Sequence, residues 1–85
     1  MMIFRLERKV TRVSSSCCGF VLVASGPEAA RHYAQDHAAQ QDLNPLETSA
    51  DWLDVDVTSC IHVGATQVPG WCRAGKIVMV DYEYA

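Results

Sequence analysis

Ser25-Gly26-Pro27-Glu28 writes a helix start into the middle of this chain. Pro27 brings a preset φ, and its missing N–H goes unused in a first turn; Ser25 or Gly26 can cap; Glu28 suits the positive end of the helix dipole. The helix is expected to run to about Gln40. Ala30, Tyr33, Ala34, His37 and Ala38 follow i, i+3, i+4, i+7, i+8 spacing and form one stripe. A stripe made mostly of alanine lets a helix lie close to a sheet. Its alanines bury little each, so Tyr33 is expected to carry much of the contact.

The segments around this helix read as strands. In Ile3 to Val10, Phe4, Leu6 and Val10 point one way, and Arg5, Glu7 and Lys9 the other. Thr11 to Cys18 is rich in small polar residues and reads as a connection. Gly19 to Ser25 is apolar on both faces and rich in valine, which suits a central strand covered by the helix. Leu43 to Leu53 contains Asn44-Pro45, which disfavours helix just before the proline, so a loop with one short turn is expected. Val55, Val57, Ser59, Ile61 and Val63 alternate with Asp56, Thr58, Cys60 and His62, giving a third strand. Gly64 to Gly75, with its Pro69-Gly70 turn signal, is a long connection. Lys76 to Tyr84 is the fourth strand. The expected fold is α+β in the order β-β-α-β-β: a largely antiparallel four-stranded sheet with one helix packed on one face, one domain over residues 1–85.

A chain of 85 residues can bury only about 60–65% of the surface its unfolded form exposes, which leaves little interior for a deep cleft. The apolar fraction of 49% excludes global disorder. The first ten residues carry four charges, which breaks any signal-peptide core. The longest apolar run, Phe20 to Ala24, is far short of the ~20 residues of a membrane span. The expectation is an unprocessed, cytoplasmic chain without a membrane partner.

The net charge of −3 argues against direct nucleic-acid binding, which relies on a basic surplus. Its distribution says more. Arg5, Arg8, Lys9 and Arg12 cluster near the start, whereas Asp42, Glu47, Asp51, Asp54 and Asp56 follow one another with no basic residue between them. Clustered carboxylates steer encounter with a basic partner and penalise wrong ones. Trp52 lies inside this stretch and Trp71 in the other long loop, where an exposed indole would anchor a contact. Asp42, Glu47, Asp51, Trp52, Asp54, Asp56 and Trp71 are therefore the expected contacts to a protein or nucleoprotein complex with a basic surface. Tyr82 and Tyr84 share one face of the last strand. At a sheet edge, that strand could pair with a second copy.

Catalytic and metal motifs are sparse. Cys17, Cys18, Cys60 and Cys72 contain no Cys-x-x-Cys pair. Cys60 and His62 would share a strand face, so Cys60, His62 and Cys72 form the alternative expectation of a metal- or redox-responsive regulator. His32 and His37 lie about 140° apart on a helix and cannot chelate together. His32 and Asp36 have the spacing of a base and its orienting carboxylate, but also of an ordinary solvated pair. Ser14 to Ser16 lack a nucleophile elbow, and the glycines are scattered. No enzyme activity and no cofactor are expected.

The N-terminal IFRLERK, the segment GFVLVAS, Glu-Ala-Ala-Arg at 28–31, Trp52-Leu53-Asp54, Thr58-Ser59-Cys60 and the closing KIVMVDY together resemble small uncharacterised ββαββ proteins encoded by phages and prophages. The likeness spans most of the chain. It departs at Ser14 to Cys18, which lacks the group's Tyr- and Asp-rich turn, and at the extended Gly64 to Gly75 loop. The resemblance gives no residue a role. It implies a mobile-element accessory protein that binds another macromolecule, such as an anti-CRISPR-like inhibitor of a host defence complex.

Overall fold

The computed structural model describes residues 1–9, 16–42, 49–65, 67 and 75–83. Strand β1 is Met2–Arg8, β2 is Ser16–Ala24, helix α1 is Pro27–Gln41, a 3₁₀ turn spans Ser49–Leu53, β3 is Thr58–Ala65 and β4 is Ile77–Glu83. The strands form one antiparallel sheet in the order β3-β1-β2-β4. The α+β fold expected from the sequence is thus the fold observed. No helix among the described residues is long and apolar enough to cross a membrane.

The helix starts where its proline requires. Pro27 occupies the first turn, and Ala30 N–H donates to the Gly26 carbonyl at 3.0 Å. Gly26 is the N-cap, and no side chain supplies a capping bond, so Ser25 does not take that role. At the other end Asp42 N–H closes the last turn on the Ala38 carbonyl at 2.8 Å.

Ala30, Ala34 and Ala38 are fully buried against the sheet. Beneath them lie Phe4 and Leu6 of β1 with Cys17, Phe20, Leu22 and Ala24 of β2. Tyr33 packs against this core but is only partly buried. The large ring that fills the interior is Trp52, brought in by the 3₁₀ turn. It is fully buried and meets Phe20 edge-on, with centroids 4.8 Å apart. Alanines leave room that one indole from a distant segment fills.

The starts of β2 and β3 each differ from the sequence reading by three residues, and the other boundaries by smaller amounts. β2 begins at Ser16, because Cys17 faces the core as a small apolar group and its N–H is held by a carboxylate from beyond the helix. A register shift between Cys17 and Gly19 absorbs the extra residue. β3 begins at Thr58 rather than Val55, because Asp54 turns the chain there. Its carboxylate accepts the Asp56 N–H at 2.9 Å, and its carbonyl accepts from Val57 and Thr58. On β3 the side toward the helix carries Thr58 and Cys60, paired with Arg8 and Leu6 of β1, so Ile61 and Val63 are left exposed.

Gly75 enters β4 at φ +83°, where an added Cβ would lie 3.0 Å from the Tyr33 ring. Both the left-handed backbone and the ring demand glycine. Gly75→Ala is expected to lower stability by about 1–2 kcal/mol, read as a reduced urea midpoint. Gly64→Ala, which meets nothing within 4 Å, should leave the midpoint unchanged or slightly higher.

Candidate functional site

The acidic stretch does not form one surface. Asp42 is buried, and its Oδ1 accepts the Cys17 N–H at 2.7 Å. Asp51 accepts Arg8 Nη1 at 2.5 Å, in a pair whose side chains are 13% and 3% exposed. The same guanidinium donates from Nε to the Cys17 carbonyl at 2.9 Å and lies 5.0 Å from the Trp52 ring centroid. Trp52 itself is inside the core. Asp42, Asp51 and Trp52, expected to be contacts for a partner, instead pin this segment to the body of the protein. The reason is physical: a buried guanidinium on β1 requires a carboxylate, and the alanine helix leaves a gap of indole size.

Arg31 extends the same work from the helix. Its Nη1 donates to the Trp52 carbonyl at 3.1 Å and to Thr58 Oγ1 at 2.7 Å, and its Nη2 donates to the Thr58 carbonyl at 3.1 Å. The buried Thr58 hydroxyl has the carbonyls of Asp51 and Asp54 as acceptors, each at 3.0 Å. Two arginines, one on β1 and one on α1, thus hold the 3₁₀ turn from both sides.

Asp54 and Asp56 are exposed. Lys9 stands over the same loop, with Nζ donating to the Val55 carbonyl at 2.9 Å. Among the described residues, the exposed remnant of the acidic stretch is therefore two carboxylates with an ammonium over them. Glu47 and Trp71 lie outside the described residues.

The register puts Cys60 and His62 on one face of β3, as expected. Cys72 lies outside the described residues. Cys60 Sγ points at the Pro27 carbonyl, 3.8 Å away, and burial raises its thiol pKa against the lowering effect of Arg31. His62 is exposed and rests on the Phe4 ring at 5.5 Å. Among the described residues no three metal-ligating side chains come together. Cys17 is pushed up to about 12 by burial and by its bond to Asp42, which makes it a poor nucleophile. His32 and Asp36 are both exposed on the outward side of α1.

What the fold does present is the other face of the sheet. Helix α1 covers one side, and no described element packs on the opposite one. The register lays its residues out in rows. Ile61, Arg5, Val21 and Met79 form one row across all four strands, and Ser59, Glu7, Gly19 and Asp81 form the next. Met79 is 61% exposed and Ile61 46%. Arg5 and Glu7 are half-exposed, with Nε and Oε1 2.9 Å apart. Toward the other end of the strands, Ile3 is half-buried and Val23 fully buried. Over Gly19, which has no side chain, lies a groove of about 330 Å³ flanked by Arg5, Glu7, Cys18, Val21 and Met79.

The sequence reading placed Arg5 and Glu7 on the outward side of β1 but did not follow that face onto the other strands. The signal it missed is on β1 itself: Phe4, Leu6 and Arg8 share one side. That places Arg8 inward and calls for a buried carboxylate. β4 does lie at a sheet edge. The side chain of Tyr82, and Tyr84 as a whole, fall outside what is described.

The structural role of the pinning carboxylate is open to direct measurement. Asp51→Ala should cost about 3–5 kcal/mol in chemical denaturation, since it strands the Arg8 charge in the interior. Asp54→Ser with Asp56→Ser should change stability by under about 0.5 kcal/mol, as exposed residues do. Comparison of the chain with protein-family models, with curated proteins and with solved structures finds no match.

Proposed function

We propose that this chain is a non-enzymatic protein-binding module whose working surface is the sheet face away from helix α1, at the exposed positions Ile61, Arg5, Glu7 and Met79. The observation that carries this reading is the row Ile61, Arg5, Val21, Met79, in which large apolar side chains stand exposed beside a half-exposed ion pair. Exposed apolar residues grouped on one flat surface are costly to leave in water and mark contact surfaces in small proteins. Two of the carboxylates expected to bind a basic partner are committed internally, Asp42 to a backbone N–H and Asp51 to Arg8. The partner's chemistry is therefore mainly apolar, with charged groups of both signs to meet Arg5 and Glu7. An inhibitor of a host defence complex, as the resemblance to phage-encoded proteins implies, would on this reading dock through the sheet and not through the acidic loop.

Affinity capture from cell extract tests the reading with two variants. The double substitution Ile61→Asp, Met79→Asp should abolish capture of the partner while the protein stays folded by circular dichroism. Asp54→Ser with Asp56→Ser should leave capture intact. Capture that survives the first pair and disappears with the second would return the binding surface to the loop and overturn the proposal.

A further inference from the structure

We infer that the outer edge of β3 pairs with the β3 edge of a second copy, antiparallel, about a two-fold axis at Ile61, which joins the two sheets into one. The contact is separate from the face proposed to bind another protein. It is made by the backbone at one margin of the sheet.

β3 is an edge strand, and among the described residues no strand pairs with its outer side. Lys9 N–H donates to the Val57 carbonyl at 2.9 Å, and that bond sets the phase of the ladder to β1. Along an antiparallel ladder, successive residues turn their N–H and C=O alternately toward and away from the neighbouring strand. Val57, Ser59 and Ile61 therefore turn toward Lys9, Glu7 and Arg5, and Thr58, Cys60 and His62 turn outward. Thr58 is already satisfied on that side. Its N–H donates to the Asp54 carbonyl at 3.0 Å, and its carbonyl accepts from Arg31 Nη2 at 3.1 Å. At the far end the register shifts: Phe4 pairs with His62 and Ile3 with Gly64, so Val63 has no counterpart on β1. Between these limits two outward residues remain, Cys60 and His62, one on either side of Ile61. Neither backbone has an outward partner among the described residues. Both faces of the strand reach solvent here, with Ile61 exposed on one and His62 on the other.

What fits this edge is itself. A two-fold axis through Ile61, perpendicular to the sheet, sets Cys60 opposite His62 of the second copy and His62 opposite its Cys60. Each pair exchanges both N–H···O=C bonds, so the groups left open in one chain are used by the same groups in the other. Ile61 meets its own counterpart at the non-bonded position, where side chains come closest, and covers apolar surface that is exposed in the single chain. The relation is the same in both directions, as an isologous contact requires. No charge opposes the approach. The 8 residues of β3, Thr58–Ala65, include no Asp, Glu, Lys, Arg or Pro, the residues with which proteins guard an edge. The other edge strand, β4, carries Asp81 and Glu83.

Analytical ultracentrifugation, with circular dichroism as the folding control, tests the pairing. The wild-type chain should dimerise with rising concentration. Ile61→Lys and Ile61→Asp, each alone, set like charges against one another across the axis and should raise the dimer dissociation constant at least about tenfold. Mixed in equal amounts, these two variants should associate with each other, which only a contact between the two copies of position 61 allows. His62→Pro deletes an N–H that the intrachain ladder does not use, and should abolish the dimer in a folded chain. Met79→Asp, on the opposite edge strand, should leave the dimer intact. A wild type that stays monomeric up to millimolar concentration would overturn the inference. So would Ile61 variants that fail to associate when mixed, or a dimer that survives His62→Pro. Capture of a partner protein is read on the same variants: His62→Pro should retain it and Met79→Asp should lose it. A failure of the edge pairing and a failure of the proposed binding face are thereby told apart.

Discussion

The buried guanidinium of Arg8 holds the two halves of this molecule together. It lies at the end of β1, bonds the backbone of β2 at Cys17, pairs with Asp51 and covers the Trp52 ring. A charge so enclosed is tolerated only with its partners in place. Its presence therefore specifies the position of the 3₁₀ turn, and through the turn the position of Trp52. With Trp52 inside, the space between an alanine-lined helix and the sheet is filled. Arg31 repeats the arrangement from the helix side, reaching the Trp52 carbonyl and Thr58. The connection between α1 and β3, which in sequence looks like an acidic loop free to meet a partner, is in part a clamp.

Local chemistry was legible in the sequence and distant pairing was not. The helix start could be read because Pro27 and Glu28 act within their own turn, and the helix end at Gln41 fell within a residue of the expected one. The four strands could be read from alternation and valine content, though β2 gained three residues at its start and β3 lost three at its own. Those shifts come from Asp42 bonding Cys17, 25 residues away, and from Asp54 folding back on its own backbone. Asp51 meets Arg8 across 43 residues, a pairing that no window of local sequence contains. The fate of the acidic stretch was therefore misjudged for a definite reason. Runs of like charge usually mark solvated surface, and here two of the carboxylates answer needs created elsewhere. The candidate face was half legible. Arg5 and Glu7 were placed outward from β1 alone, whereas Ile61 and Met79 join them only once the strand order is known.

A single helix of fifteen residues covers one side of a four-stranded sheet, and its alanines draw it down close. Among the described residues of the far side, Val23 is buried, whereas Ile61 and Met79 are exposed. Both charge signs sit among them on the central strand β1. A surface of this kind discriminates by fit and by charge pattern together, and it needs no pocket deep enough for chemistry.

The arrangement β3-β1-β2-β4 divides the sheet into parts of unequal age. Only β1 and β2 are neighbours both in sequence and in space, so their pairing can close before the rest of the chain has found its place. β3 joins β1, and β4 joins β2, only after long loops have been gathered in, and such distant closures are slow. On sequence separation alone, the sheet is expected to grow outward from its middle. During that interval the bare flanks of the first hairpin are open to strands from other molecules, so crowded synthesis is the moment of greatest hazard for this fold.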